Sequence, residues 1–455
     1  MAKTLVILLL AAAAFSSRLS DAAAAMKPGE WLNFGVSNLT NTGMWMTSTP
    51  NHGGSIASYA QQAVWDHHTH RLIFTGSGHR CPALVLLYDA ATDRWSNIPT
   101  PRNPQQVIEN GTTYWNNSMW HAYDQGTYTP ENGAFYRIVI NPDPGTARQP
   151  RYGGDVLYRY LFRESRWDTV FCFFPPDNGQ QNPSLYCNGG AMQYFPDIHS
   201  LVMYAGMYGA KSTILDLNDT AGNDTVTWKN LTGNASSIGM YNVVMEYVPQ
   251  YQKMVIMSNY GSQIMHANKT FTKITPPVGP DPDGDFGDFI RAAVDPNSGE
   301  LLVMDMKNLR FFAYTIPTNT WHSLPLNGGL FSTPGSSSMM WLMTAIPEYG
   351  IISMLSLPEW TEAGLPAKLL LYKHSAGSAT ESAPKNISRA SGPLFRAAVY
   401  NCAGKKVRAF PGGIPASVRW DGRDSFGRTA PAGIYVMELR NGHGERFWKK
   451  TLLIK

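Results

Sequence analysis

Leu86-Leu87-Tyr88-Asp89-Ala90-Ala91-Thr92-Asp93-Arg94-Trp95-Ser96-Asn97-Ile98 sets a short apolar run and a short alternating strand around Trp95 on either side of a turn-forming run. Alternation with a period of about two sends successive side chains to opposite faces of a strand, so this stretch reads as two antiparallel strands and a turn. Its second half recurs. A polar residue, an aromatic one and a short alternating strand return at Glu30-Trp31, Arg166-Trp167, Thr227-Trp228, Thr270-Phe271 and Thr320-Trp321. All but the first copy follow a further short strand, as at Val156-Leu157-Tyr158 and Phe312-Ala313-Tyr314. Upstream of these lie two more strands joined by turn chemistry, such as Asp295-Pro296-Asn297-Ser298-Gly299, Pro196-Asp197 and Pro347-Glu348-Tyr349-Gly350.

Four antiparallel strands per unit, repeating every 40 to 70 residues or so, is the pattern of a β-propeller blade. The ends of the repeat set its number. The last unit, Met339 to Lys373, has no aromatic strand after it, and the Glu30-Trp31 strand has no unit before it. Joining them gives six blades, with the N-terminal strand completing the last sheet and removing the exposed edges of an open array. The repeated tryptophans then serve as packing between blades. The Tyr88-Asp89, Thr92 and Trp95 spacing resembles the third-to-fourth strand hairpin of kelch-type blades.

Composition agrees with an all-β chain. Only 15% of residues are charged, 12% are aromatic, and 41 glycines and 31 prolines break up any long helical run. Residues 1–25 read as an export signal: Lys3, an apolar run from Leu5 to Phe15, and small residues at Ala23-Ala24-Ala25. That run is shorter than the roughly 20 residues a membrane-spanning helix needs. The expected organisation is a signal peptide (1–25), a six-bladed propeller (26–373), a small-residue linker (374–392) and a C-terminal module (393–455). The mature protein is expected to be extracellular, free or attached to the cell surface.

Charge divides unevenly along the chain. Residues 385–455 hold 14 Lys/Arg against 4 Asp/Glu, whereas the rest holds 23 against 29. A basic tail on an acidic body suggests contact with an anionic cell-envelope surface, although a solvated basic face would have the same composition. No nucleic-acid partner is expected. The four cysteines allow three pairings, and the sequence proximity of Cys172 and Cys187 favours that disulfide in an oxidising compartment.

The C-terminal stretch carries Val399-Tyr400-Asn401, Gly404-Lys405-Lys406-Val407, Trp420-Asp421-Gly422-Arg423-Asp424, Gly427, Pro431-Ala432-Gly433-Ile434-Tyr435 and Lys449-Lys450-Thr451. These residues resemble the Ig-like domain of flagellar hook-capping proteins and the C-terminal sorting domains of type IX secretion cargo. The resemblance implies an Ig-like β-sandwich on a secreted or surface-displayed bacterial protein, serving in anchoring or sorting.

Common catalytic motifs are absent: there is no nucleophile elbow, phosphate-binding loop, His-Glu-x-x-His or Cys-x-x-Cys. Asp66-His67-His68-Thr69-His70 has metal-type ligands but occupies a position where other units carry a turn. Asp281, Asp283, Asp285 and Asp288 place oxygen ligands as a Ca²⁺ loop would, without the downstream glutamate of an EF-hand; a solvated loop is the alternative. Nine Asn-x-Ser/Thr sequons, at Asn38, Asn110, Asn116, Asn218, Asn223, Asn230, Asn234, Asn268 and Asn386, mark surface loops and candidate glycosylation sites.

A propeller gathers one inner strand from each blade around a central funnel. Trp120, His121, Tyr241, Asn242, Arg291 and Trp341 fall at the starts of such strands, and an arginine among aromatics suits a glycan by stacking and charged hydrogen bonds. The same residues would also serve as channel packing. The leading expectation is therefore a glycan- or protein-binding adhesin. A self-assembling subunit of an extracellular layer or fibre is one alternative. A secreted carbohydrate-active enzyme or copper oxidase is another, since a propeller followed by an Ig-like module is similar to the layout of galactose oxidase. That family needs a Tyr-His pair, and this sequence contains no Tyr-His dipeptide.

Overall fold

The computed structural model describes residues 17–35, 63–75, 84–99, 105–109, 112–116, 124, 126–139, 155–162, 164–173, 190–204, 212–220, 225–231, 243–258, 261–275, 290–327, 329–331, 341–356, 368–375, 395–401, 406–414, 433–440 and 446–453. The chain divides into two compact units, Met1–Thr380 and Glu381–Lys455.

The first unit is a six-bladed propeller. Blade 1 runs through Val64–Asp66, Arg71–Thr75, Leu84–Asp89 and Arg94–Pro99, and blade 2 through Gly126–Thr129, Ala134–Val139, Asp155–Leu161 and Arg166–Phe173. Blade 3 comprises Ala191–Phe195, Ser200–Tyr204, Ser212–Asp216 and Lys229–Asn230; blade 4 comprises Val244–Val248, Lys253–Ser258, Gly261–His266 and Phe271–Lys273. Blade 5 holds Ile290–Val294, Leu301–Asp305, Arg310–Thr315 and Thr320–Leu324. Blade 6 takes Trp341–Ile346, Ile351–Ser356 and Lys368–Lys373, and its fourth strand is Glu30–Asn33, antiparallel to the third with Trp31 opposite Tyr372. The six inner strands neighbour one another in order around a circle, the sixth next to the first.

Two elements depart from the repeat. The aromatic strand of blade 3 is divided: Thr225–Thr227 runs parallel to Arg166–Phe173 of blade 2, while Lys229–Asn230 stays in blade 3. Trp228 lies between the two segments, fully buried in the core shared by blades 2 and 3, so burial of the indole takes precedence over a continuous ladder. A separate hairpin, Gln105–Glu109 with Thr112–Asn116, has no counterpart among the described residues of the other units.

Sequence dictates the blades through two local rules. The first is a backbone requirement. A left-handed residue stands one or two residues before the second strand of every blade: His70, Gly133, His199, Gln252, Gly299 and Gly350. Another stands two residues before the outer aromatic in five blades: Gly29, Asp93, Ser165, Lys269 and Asn319. Positive φ reverses the chain tightly; Gly, Asn, Asp and His tolerate it best and fill most of these positions. The second rule is a cross-strand pair. Tyr88 faces Trp95, Tyr160 faces Trp167, Tyr314 faces Trp321 and Tyr372 faces Trp31. Their ring centroids are 5.1, 5.0, 4.7 and 4.6 Å apart. Such directly opposed aromatics stabilise a sheet beyond their area burial.

The turns between first and second strands also clasp each blade to the next. His68 Nδ1 meets the Tyr128 hydroxyl at 2.5 Å, and Glu131 receives Tyr194 Oη and lies 2.5 Å from His199 Nδ1. Tyr247 Oη donates to Asp197 at 2.7 Å, Gln250 Nε2 to the Pro296 carbonyl at 2.9 Å and Asn297 Nδ2 to the Gly350 carbonyl at 3.3 Å. Glu348 completes the circuit, accepting from Trp65 Nε1 at 2.5 Å and pairing with His67 Nδ1 at 2.7 Å. Six blade boundaries thus have six polar clasps.

A helix, Arg18–Ala25, precedes the Glu30–Asn33 strand, opened by a reciprocal Ser17/Ser20 capping box. Leu19, Ala23 and Met26 sit in the core with Trp65, Phe74, Leu342 and Leu369. Arg18 pairs with Asp93 at 3.1 Å and lies 4.1 Å from the centre of the Phe34 ring, while the buried Lys373 ammonium donates to the Ala23 carbonyl at 2.9 Å. These residues fall inside the segment expected to be removed with the signal; a cut after Ala25 would strip Leu19 and Ala23 from this core.

The second unit contains one antiparallel sheet in the order Lys406–Ile414, Phe395–Asn401, Gly433–Arg440, Arg446–Leu453. The Trp420-Asp421-Gly422-Arg423-Asp424 stretch lies outside the described residues.

Candidate functional site

The inner strands bring three ionisable side chains together at the propeller axis: Asp124, Glu246 and Arg291. Asp124 precedes the inner strand of blade 2 and forms a parallel bridge with Ala191 of blade 3. Its carbonyl accepts from Met192 N and its Oδ2 from Met245 N of blade 4, both at 2.6 Å. Backbone and side chain of this one residue therefore tie three blades together. Its Oδ1 is buried with no hydrogen-bond partner among the described residues. Glu246 is the third residue of the blade 4 inner strand and only half-buried. Arg291, on blade 5, is fully buried; its Nε donates to the Trp341 carbonyl of blade 6 and its Nη1 to the Ile290 carbonyl at 2.7 Å.

Electrostatics follow from burial. Desolvation pushes the Asp124 carboxyl well above the usual range, with the Met245 amide and the Arg291 charge opposing and Glu246 reinforcing. Desolvation does the same to Glu246. It pulls the Arg291 guanidinium down, to about 9, against the charge of Asp124, so Arg291 keeps its proton at neutral pH. One enclosed cation faces two carboxyls, and burial disfavours the charged form of both. A carboxyl in its neutral form both donates and accepts, which would suit hydroxyl or amide groups.

Of the residues expected at the funnel, Arg291 and Trp341 are brought into direct contact. Trp341 is buried, packing against Phe331 with centroids 5.5 Å apart. Trp120, His121, Tyr241 and Asn242 lie outside the described residues, as do Asp281, Asp283, Asp285, Asp288 and Cys187. Cys172 stands in the outer strand of blade 2. Among the sequons, Asn218 and Asn268 are exposed, Asn116 and Asn230 stand in strands, and Asn38, Asn110, Asn223, Asn234 and Asn386 lie outside the described residues. The Asp66–His70 stretch is a turn: Asp66 accepts from the His68 amide at 2.8 Å and the Thr69 amide at 3.3 Å, and His67 and His68 serve the clasps above. Sequence reasoning passed over Asp124 and Glu246. Glu246 had a signal, as a lone acid inside Val243-Val244-Met245-Glu246-Tyr247-Val248; Asp124 had none, because its role comes from contacts with blades 67 and 121 residues further on.

Elsewhere, Glu300, His322 and His374 bring three metal-type ligand atoms within 4.8 Å of one another, the one such trio of His, Cys, Asp or Glu among the described residues.

Fold and axial cluster define an all-β, six-bladed propeller protein with a further β unit at its C-terminus. No protein-family model matches the chain, and no curated protein does. Solved structures with a similar fold include an auxiliary nutrient binding protein from Bacteroides thetaiotaomicron (12% identity, TM-score 0.44, covering 75% of this chain and 76% of that one). Another is the major Malassezia sympodialis allergen Mala s 1 (11% identity, TM-score 0.41, 70% and 92%). TolB from Acinetobacter baumannii is a third (13% identity, TM-score 0.35, 58% and 54%), so the chain spans about half of that structure.

Proposed function

We propose that the chain is a secreted or surface-displayed binding protein whose propeller takes a neutral, hydroxyl-rich glycan at its axis. The observation that supports this reading is the Asp124–Glu246–Arg291 cluster, with a buried acceptor that has no partner among the described residues and a half-buried carboxyl whose charged form is disfavoured by desolvation. Binding at this place would use the neutral form of Glu246 as a donor to a sugar oxygen, in exchange for a contact it makes within the protein, and Asp124 Oδ1, without a partner among the described residues, as an acceptor. The test is a glycan array followed by calorimetry on the full mature protein. Neutral oligosaccharides should bind, and E246A should weaken them by about tenfold or more, the worth of roughly one hydrogen bond to a charged or strongly polar group. Binding confined to acidic glycans, or indifferent to E246A, would overturn the site.

The C-terminal unit we read as an Ig-like anchoring module. Support comes from the Trp420-to-Tyr435 motif and from the excess of 14 Lys/Arg over 4 Asp/Glu in residues 385–455. Contacts of exposed cations with an anionic envelope weaken as the Debye length falls from about 10 Å at 0.1 M salt to about 3 Å at 1 M. Retention of the whole protein on cells should fall across that range. Retention that ignores salt points to covalent attachment instead.

A further inference from the structure

We propose that Glu300, His322 and His374 form a divalent-metal site of the zinc class at the boundary of blades 5 and 6. Glu300 follows the turn between the first two strands of blade 5, His322 belongs to the outer strand of that blade, and His374 is the residue directly after the third strand of blade 6. Two imidazoles and one carboxylate are a borderline-soft donor set that suits Zn²⁺ and not Ca²⁺ or Mg²⁺, which take oxygen ligands. Tetrahedral bonds of about 2.0–2.1 Å separate ligand atoms by about 3.4 Å, so donors already within 4.8 Å need only a small side-chain adjustment. Three protein ligands leave a fourth position for water or another ligand.

Second-layer contacts hold the donors in place. Tyr372 Oη lies 3.4 Å from His374 Nδ1, which leaves Nε2 facing Glu300 Oε2 at 2.7 Å. Thr315 Oγ1 donates to Glu300 Oε1 at 2.5 Å, leaving Oε2 for the metal. Partners of this kind fix ring orientation and donor basicity in metal sites. The neighbouring Ser375 hydroxyl donates at 2.6 Å to Asp295, a fully buried residue whose other oxygen has no partner among the described residues, which fixes the chain immediately after His374.

A break in the repeat supplies the third ligand. In blades 1 and 5 the third-strand tyrosine donates to the left-handed turn residue five positions on, Tyr88 to Asp93 and Tyr314 to Asn319, each at 2.8 Å. Blade 6 has no such turn, because its fourth strand comes from the N-terminus. Tyr372 meets His374 instead, and the chain, no longer bound to reverse, carries that imidazole across to blade 5. When metal enters, His374 binds as the neutral imidazole with its hydrogen on Nδ1, toward Tyr372 Oη, so that Nε2 and the Glu300 carboxylate are both freed as ligands.

The experiment strips the full mature protein with chelator and titrates Zn²⁺ by calorimetry, with Ca²⁺ as control and Co²⁺ absorption as a reporter of tetrahedral ligation. One Zn²⁺ per chain is expected, with H322A and E300Q each weakening it at least tenfold and T315V producing a smaller loss. His322 is exposed, so H322A leaves the core intact, and circular dichroism checks this. Absence of one-to-one Zn²⁺ uptake up to about 100 µM, or uptake equal in wild type and H322A, overturns the site.

Discussion

Blades 5 and 6 have the same four-stranded geometry and opposite covalent histories. Blade 5 is one continuous stretch, Ile290 to Leu324, and its outer turn passes through Asn319 at φ +52° into Trp321. Blade 6 takes three strands from residues 341–373 and the fourth from residues 30–33, yet Gly29 stands two residues before Trp31 at φ +79°, as Asn319 does before Trp321. The blade obeys the same backbone and packing rules without a connecting turn. What differs is the support: Trp321 is half-buried, whereas Trp31 is enclosed by Phe311, Phe331 and Tyr372 within 5.3 Å. Packing replaces the turn that the chain does not supply.

The largest effect should come from breaking blade 6 at this point. W31A is expected to cost about 3–5 kcal/mol, the usual range for a buried tryptophan, and W321A less, about 1–3 kcal/mol. Deleting residues 26–36 should abolish the cooperative transition; a deletion variant that melts at the parent temperature would show that the N-terminal strand does not hold the ring shut.

Next comes the helix that covers this seam. Leu19 is fully buried, so L19A should cost about 2–4 kcal/mol in the secreted protein. This outcome requires that export processing spare residues 17–25 and cut upstream of Ser17, which intact-mass measurement of the secreted chain reads directly. A mature N-terminus at Met26, with L19A silent, would remove the helix from the working protein.

A smaller effect lies at the clasp from blade 6 to blade 1. Burial alone would raise the Glu348 carboxyl, but the hydrogen bond and charge of His67, with the Trp65 N–H, outweigh it and hold the carboxyl below the usual range. A carboxyl whose folded value is depressed stabilises the protein fully above its unfolded value and loses that contribution as pH falls through the folded one. E348Q should therefore cost about 1 kcal/mol at neutral pH, shrinking as pH drops below about 4.3. Denaturant midpoints at pH 7 and pH 3 measure it; a constant difference would mean that charge is not involved.

Smallest are the two left-handed residues. G29A should cost about 1 kcal/mol through backbone strain alone, since a Cβ there meets nothing within 4 Å. N319G should stay within about 0.5 kcal/mol, as the gain in backbone ease offsets the lost Tyr314 hydrogen bond. If G29A is silent, the strand before Trp31 is not held in blade geometry.

Period and turn chemistry made the propeller readable. Alternation fixes which face of a strand is apolar, and the aromatic strand at Trp31, Trp95, Trp167, Phe271 and Trp321 appears at the expected place in five blades because its register partner lies seven residues away or fewer, or is the ring's own missing edge. Such signals are local, and local signals survive in a linear string. The split strand around Trp228 was beyond that reading, because which sheet a segment joins depends on the neighbour offering a ladder edge. Arg291 was legible as a channel residue; that its guanidinium is committed to the carbonyls of Trp341 and Ile290 was not. The Asp124–Glu246–Arg291 cluster and the Glu300–His322–His374 trio were decided by tertiary structure alone. Each joins residues tens of positions or more apart through the closure of a ring, and the energies that perturb them, desolvation and short-range charge, exist only once the blades have met.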